Sequence, residues 1–291
     1  MQEIEYAAPK TLRHALELLA ANGERARVLA GGTDLLVQLR ARRKSAELVV
    51  DVKKISELTG LSYDEEAGLE IGAAVPCYRI YRNETVAAAY PGLIDAVSMI
   101  GGTQIQGRAT VGGNLCNSAP SADAVPPLIV LGAVCKIAGP QGTRHVPAEE
   151  FCTAPGRNVL QPEELLVSLL LPPHSDRFGA SYLRFIPRNE MDIAVAGVGS
   201  AVVLDTTGRY FASAKISLAS VAPTPVYARA ASESLLGKPV SDDSIEEAAE
   251  LAKAAARPIT DMRGTAEQRV HLVGVLVRRS LQRAVQRARG V

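Results

Sequence analysis

The chain has 291 residues, is 47% hydrophobic and 22% charged, and carries a formal net charge of +1. That apolar content supports a packed core and excludes a disordered chain, and the length predicts two or three domains. Acidic and basic residues are interspersed, so there is no dominant positive field to draw nucleic acid as the main partner.

In chain order, residues 1–52 read as a small β–α–β unit. Leu12, Ala15, Leu16 and Leu19 recur at helical spacing behind Thr11, an N-cap, with Gly23 as the stop. Arg27 to Ala30 reads as a strand, Ala30-Gly31-Gly32-Thr33-Asp34 as a turn, Asp34 to Arg43 as a helix and Glu47 to Val52 as a second strand. The glycine turn thus falls between strand and helix, where α/β proteins usually hold anions.

Residues 53–173 carry strand signals at Gly68 to Ala73, Thr110 to Val111, Ala133 to Ala138 and Leu165 to Leu171. Two helices are predicted among them, at about Pro91 to Ile100 and Ala122 to Gly132. Several strands with few crossover helices predict a mainly antiparallel sheet. Pro172-Pro173 and the polar His174-Ser175-Asp176 mark a boundary.

Residues 174–291 open with strand patterns at Ser181 to Phe185, Ile193 to Leu204 and Phe211 to Ser220. Ser244 is read as the cap of an Ala/Glu-rich helix to about Arg257. Thr265 with Gln268 makes a capping-box pattern ahead of a long helix striped by Val270, Val273, Val277, Leu281 and Val285. That stripe reads first as core-facing. The arginine cluster from Arg278-Arg279 to Arg289 reads as a solvated face or a subunit contact rather than a phosphate surface.

No transmembrane segment is visible: the longest apolar stretch, Ile193 to Leu204, has 12 residues, three of them Gly or Ser. The start, Met-Gln-Glu-Ile-Glu, has neither a basic region nor an apolar signal core, so a cytoplasmic location is expected. Cys77, Cys116, Cys135 and Cys152 lie far apart without a Cys-x-x-Cys pair, which is poor spacing for zinc or an iron–sulfur cluster and predicts free, partly buried thiols. His14, His145, His174 and His271 are scattered and read as surface or cap residues. No Gly-x-Ser-x-Gly or His-x-x-x-His pattern supplies an acid, base or nucleophile, as suits a protein whose cofactor carries the redox chemistry.

The chemistry therefore rests on two glycine-containing loops, Ala30 to Asp34 and Thr110-Val111-Gly112-Gly113-Asn114. A Gly-Gly step lets the backbone take positive φ and press its N–H groups against a ligand, and successive N–H groups form a concavity for phosphate oxygens. Each could instead be an ordinary tight turn. Neither is a Walker A loop or a Gly-x-Gly-x-x-Gly turn. Two such loops suit a ligand with two phosphates held from both sides.

Ala-Gly-Gly-Thr-Asp together with Thr-Val-Gly-Gly-Asn-Leu-Cys-Asn-Ser-Ala-Pro-Ser-Ala-Asp (Thr110 to Asp123) closely resembles the flavin subunit of the molybdenum hydroxylases, the xanthine dehydrogenase and aerobic carbon monoxide dehydrogenase type. The second motif is the specific one, and the resemblance runs from Ile4 to the C-terminal helix. It implies an α+β chain with an FAD-binding PCMH-type fold: a small βαβ subdomain (1–52), a mainly antiparallel second subdomain (53–173), and a C-terminal α+β domain (174–291) with a three-stranded antiparallel sheet and helices. The cluster-binding insertion of the 4-hydroxybenzoyl-CoA reductase relative is missing, since Asn114 runs directly into Asp123 and the next helix.

The resemblance also implies roles. Ala30, Gly31, Gly32, Thr33 and Asp34 would hold one side of the pyrophosphate of a non-covalently bound FAD, and Ala109, Thr110, Gly113 and Asn114 the other. A branched side chain at Gly32 or Gly113 is then expected to fill the pyrophosphate's space. Cys116, Asn117, Ala122 and Asp123 would lie along the ribityl–phosphate or adenosine portion, with Leu29 and Leu35 flanking an end of the cofactor and Gly101 nearby. Leu165, Leu166 and Arg184 would line the nucleotide half. In the carbon monoxide enzymes an aromatic residue tends to follow the aspartate near the flavin ring; here Glu190-Met191-Asp192-Ile193 is more like xanthine dehydrogenase, and Ile193 cannot stack as an aromatic would.

The implied partners are a large molybdopterin subunit that oxidises the substrate and a small subunit with 2Fe–2S clusters, as a dimer of heterotrimers. NAD⁺, a quinone or another molecule would accept the electrons. The long C-terminal helix is a candidate contact surface, although its stripe also suits packing on its own sheet. A stand-alone FAD-dependent oxidoreductase of the same superfamily is the alternative; such enzymes usually carry a large substrate domain, and often a histidine near the first loop, and this chain has neither.

Overall fold

The computed structural model describes residues 3–188 and 191–291. At the N-terminal end, three parallel strands lie side by side in the order Glu5–Ala7, Leu48–Asp51, Ala26–Leu29. The helix Leu12–Asn22 starts as its sequence requires: the Thr11 hydroxyl accepts from the His14 N–H at 3.3 Å, and Gly23 at φ +52° ends it. Ala15 and Leu19 of its stripe are buried against the sheet. The helix after the first glycine loop is Leu35–Arg40, shorter than expected, because the chain leaves helical geometry at Arg42 with φ +55°. The edge strand Glu5–Ala7, too short to show alternation, was not anticipated.

The middle of the chain forms a five-stranded antiparallel sheet in the order Leu61–Asp64, Gly68–Gly72, Leu165–Leu171, Val134–Gly139, Gly142–Pro147. The central strand Leu165–Leu171 has the predicted limits. Its neighbours carry the other inward side chains, Ile71 and Cys135 pairing with Leu169 on either side. One expected strand is corrected. Thr110 makes only an isolated bridge to Pro76, and Val111–Asn117 is a helix. The β-branched pair suggested extension, but the Thr110 hydroxyl accepts from the Gly113 N–H at 2.9 Å and so begins a helix instead. The two helices expected here are trimmed to Pro91–Val97 and Val125–Val130, and they are two of eight helices among the described residues of this part of the chain, the others too short to show a helical period.

The C-terminal sheet has four antiparallel strands rather than three, in the order Phe178–Phe185, Ala196–Leu204, Phe211–Ala219, Val226–Tyr227. The fourth is two residues long and gave no periodic signal. The helix assigned to a Ser244 cap is Asp242–Ala255. Ser241 is its cap, accepting from the Ser244 N–H at 3.3 Å, with Asp242 and Asp243 in the first turn favoured by the helix dipole. Thr265 caps the long helix Ala266–Ala288 by accepting from the Gln268 N–H at 3.1 Å. Val273, Val277, Leu281 and Val285 are buried and Val270 partly so, and the helix packs on its own sheet.

The arginines of that helix are not simply a solvated face. Arg287 donates to both carboxylate oxygens of Asp95, at 2.6 and 2.9 Å, and to the Ala180 carbonyl at 2.6 Å. Arg283 stands 3.3 Å from the same carboxylate, which also accepts from the Tyr182 N–H at 3.0 Å. Asp95 lies on the helix Pro91–Val97, so a charge cluster around its nearly buried carboxylate ties the C-terminal helix to the middle of the chain. Among the histidines, His14, His145 and His271 are exposed as expected. His174 is not: it stacks on Phe178 at 3.7 Å beside Tyr90, and burial pushes its pKa down to about 4. All four cysteines are free, Cys77 and Cys135 fully buried. Among the described residues, no helix is long and apolar enough to cross a membrane and no cluster of His, Cys, Asp and Glu could hold a metal.

Candidate functional site

A cavity of about 310 Å³ opens between the N-terminal parallel sheet and the helix Val111–Asn117. Both glycine loops face it. Of the residues expected at the cofactor, Ala30, Gly31, Gly32, Thr33, Asp34, Leu35, Ala109, Thr110, Gly113, Asn114, Cys116, Asn117, Leu165 and Leu166 line its wall.

The first loop is a row of open donors. Among the described residues, the backbone N–H groups of Gly31, Gly32, Thr33, Asp34 and Leu35 donate to no other protein group. Exposing five consecutive amides at a strand-to-helix turn makes an anion-binding concavity. Gly32 sits at φ +80°, in the left-handed region, and this turns the chain there. Gly31 is needed for a different reason: a Cβ on it would collide with the Arg108 carbonyl, so the two glycine segments touch backbone to backbone.

The second loop is the first turn of a helix. Its Gly113 N–H is engaged by the Thr110 hydroxyl. A Cβ on Gly112 would come within 2.6 Å of Ala73, while one on Gly113 would meet only the Thr110 hydroxyl, at 2.8 Å. The Asn114 side-chain carbonyl accepts from the Ala124 N–H at 3.1 Å and fixes the chain that follows. Gln38 donates to the Asn117 side chain at 3.0 Å, joining the helices that follow the two loops. The expectation for Gly32 is therefore corrected. Its absent Cβ points to Leu29 Cδ1 at 2.8 Å and to Leu36 at 3.2 Å, so a branched side chain there meets protein before it meets the cavity.

The remaining expected residues lie outside this cavity's lining. Leu29 is buried in a small cluster with Ala46 and Val49. Gly101, at φ +60°, makes a turn over Ile105. Ala122 is in the core. Asp123 and Arg184 meet each other: the guanidinium stands 2.6 Å from the carboxylate, and the Tyr182 hydroxyl donates to the same group at 2.7 Å. Burial raises the Asp123 carboxyl pKa against the pull of Arg184, and raises the Tyr182 hydroxyl as well. Asp192 accepts from Arg188 at 3.1 Å and from the Ile193 N–H at 2.9 Å, and Ile193 is exposed. Glu190, the first residue of that motif, lies outside the described residues.

Two cations in the wall were missed by sequence reasoning. Arg27 lines the cavity with its Nε buried and, among the described residues, without a hydrogen-bond partner. Lys44 stands close by; burial first, and Arg27 second, lower its pKa, with Asp34 acting the other way. Arg27 sits one strand's length before the glycines, a signal available in the sequence. Lys44 lies beyond a helix and a turn, and only the fold returns it.

The donor set fits a pyrophosphate: open amides from one loop, a guanidinium and an ammonium beside them, and a helix N-terminus opposite.

Comparison with known proteins identifies the family. Residues 2–174 match the FAD binding domain in molybdopterin dehydrogenase, and residues 181–284 the CO dehydrogenase flavoprotein C-terminal domain. The chain is 32% identical over 286 residues to a xanthine dehydrogenase FAD-binding subunit of Escherichia coli O157:H7, covering 98% of this chain and 97% of that one. It is 33% identical over 285 residues to the carbon monoxide dehydrogenase medium chain of Afipia carboxidovorans, covering 98% of each. Among solved structures, a chain of the reconstituted CO dehydrogenase from Oligotropha carboxidovorans superposes with a TM-score of 0.93 at 31% identity, over 98% of this chain and 99% of that one. With two matched domains and whole-length relatives, the chain belongs to the FAD-binding subunits of the xanthine and CO dehydrogenase-type molybdenum hydroxylases.

Proposed function

We propose that this chain is the flavin relay of a three-component enzyme. Electrons from a substrate oxidised on a separate molybdopterin subunit would pass through 2Fe–2S clusters on a small subunit to FAD held here, and on to NAD⁺, a quinone or another acceptor. The observation that carries the reading is the row of five open amides from Gly31 to Leu35, in residues that line one cavity together with the helix Val111–Asn117. In this reading those amides, with Arg27 and Lys44, hold the pyrophosphate. Leu35, Leu165 and Leu166 exclude water from the nucleotide, while Asn114 and Asn117 keep the second loop and its helix in place. Bound FAD supplies the chemistry that takes electrons in and gives them out. In this reading the protein's part is to bind, orient and tune the cofactor.

The more distant assigned residues, Asp123, Arg184, Asp192 and Ile193, would stand along the rest of the cofactor outside this cavity. Ile193 in place of an aromatic side chain favours a xanthine dehydrogenase-like complex over a carbon monoxide enzyme. A dimer of heterotrimers and a cytoplasmic location are part of the same proposal, as is the division at 52/53 and 173/174, supported by the fact that, among the described residues, no sheet crosses either boundary. The decisive experiment is co-purification. The native chain is expected to bring down a molybdopterin subunit and a 2Fe–2S subunit, and the purified single chain is expected to bind FAD yet oxidise no purine, aldehyde or heteroaromatic compound. Enzyme-like turnover of such a substrate by the single chain would replace this reading with a stand-alone oxidoreductase.

A further inference from the structure

The first glycine loop has open N–H groups, but its first two carbonyls are not free. The Ala30 carbonyl accepts from the Lys53 ammonium at 3.2 Å, and the Gly31 carbonyl accepts from Arg108 Nε at 3.4 Å. Lys53 is itself held: its ammonium donates to Asp51 Oδ1 at 2.7 Å and its backbone N–H to the same oxygen at 3.0 Å, while the Tyr6 hydroxyl donates to Asp51 Oδ2 at 2.6 Å. None of Tyr6, Asp51, Lys53 and Arg108 is part of the cavity wall, whereas Ala30, Gly31 and Gly32 are.

A trans peptide unit is planar, with its C=O and N–H pointing in opposite directions. A cation fixed on the Ala30 carbonyl therefore sets the direction of the Gly31 N–H, and one on the Gly31 carbonyl sets that of the Gly32 N–H. Those are the first two amides of the open row. Glycine has two broad φ basins and would otherwise let these peptides flip at little cost.

We infer that Lys53, seated by Asp51 and Tyr6, and Arg108 are positioning residues: they clamp the outer carbonyls of the first glycine loop and so hold its amides aimed at the pyrophosphate. The inference rests on the FAD reading of the cavity. It adds a function to residues that lie outside the cavity wall.

The test uses the full-length chain freed of flavin, as wild type, Lys53→Met and Lys53→Arg. Each is titrated with FAD, with ADP as a probe of the pyrophosphate site, and with adenosine, which lacks phosphate. Lys53→Met is expected to weaken FAD and ADP by about tenfold, the size of one charge-assisted hydrogen bond, and to leave adenosine within about twofold. Lys53→Arg is expected to restore both. Unchanged FAD and ADP binding in Lys53→Met overturns the clamp, and so does an equal loss for adenosine, which marks a general structural role. Should Lys53→Met not fold, Arg108→Met decides: a loss for ADP with adenosine unchanged supports the clamp, and no loss for either overturns it. Clamp-dependent ADP binding by a chain that takes up no FAD would overturn the FAD reading while leaving the clamp standing.

Discussion

The two glycine loops look alike in the sequence and work differently in the fold. The first is a turn with free amides, its Gly32 in the left-handed region and its carbonyls held from behind by Lys53 and Arg108. The second is a capped helix start, its Gly113 amide already engaged by Thr110 and its Gly112 pressed against Ala73. A Gly-Gly step is thus not one device. Of the four doublet glycines, Gly32 answers a backbone angle together with the approach of Leu29, Gly31 and Gly112 answer a close approach of backbone atoms, and Gly113 is met only by the Thr110 hydroxyl that caps its own helix.

The largest expected effects come from the two close approaches. Gly31→Val drives a branched side chain into the Arg108 carbonyl and Gly112→Val into Ala73, backbone contacts that cannot move aside. Each is expected to cost about 3 kcal/mol or more of stability, read as lost soluble yield and a lower Tm of the flavin-free chain. A stable, flavin-replete Gly31→Val chain would mean that the loops do not touch.

Gly32→Ala should be milder. Placing a Cβ at φ +80° costs about 1–2 kcal/mol, and Leu29 and Leu36 must also shift. The expected result is a folded chain with reduced flavin content, measured as the ratio of flavin to protein absorbance. Full flavin content at unchanged Tm would show that the turn does not need its glycine.

Removing the cap by Thr110→Val should lower stability by about 1 kcal/mol in chemical denaturation. The corresponding change in the first loop, Thr33→Val, removes no cap, since no N–H is bonded to that hydroxyl among the described residues. Equal losses in the two variants would erase the contrast between turn and helix start.

The smallest effect is a pH dependence. Burial raises the Asp51 carboxyl, but the hydrogen bonds from Lys53 and Tyr6 and the Lys53 charge outweigh it, so its pKa lies below the ordinary 3.8. A carboxyl depressed by folding contributes stability that is present above its unfolded pKa and lost as pH falls through the folded one. The wild type should therefore lose Tm more steeply than Asp51→Asn below about pH 4, in melts taken from pH 7 to 3. Parallel curves would show that Asp51 is not ionically engaged behind the loop.

Much of the fold was legible where a local rule governs it. Thr11 and Thr265 cap their helices because a hydroxyl two or three residues from an open amide needs no distant partner. The strand Leu165–Leu171 was readable as an unbroken apolar run bounded by turn residues. The same kind of rule misled at Thr110, where a β-branched pair also suits a cap, and at Ser244, where Ser241 three residues earlier competed for the role. The strands Glu5–Ala7 and Val226–Tyr227 were invisible because they are shorter than one cycle of alternation that could be told from chance.

By itself the sequence determined the two loops, the absence of an acid–base or nucleophilic motif, and the resemblance that names the cofactor class. These are properties of contiguous residues, set by backbone freedom and short-range hydrogen bonding. Only the tertiary structure decided why each glycine is there, that Arg27 and Lys44 share the cavity wall, that Asp123 is engaged by Tyr182 and Arg184 some 59 and 61 residues away, and that Arg287 reaches Asp95 across 192. Such pairings have no local signal, because they exist only once separate sheets have packed and brought distant charges and carbonyls within reach of one another.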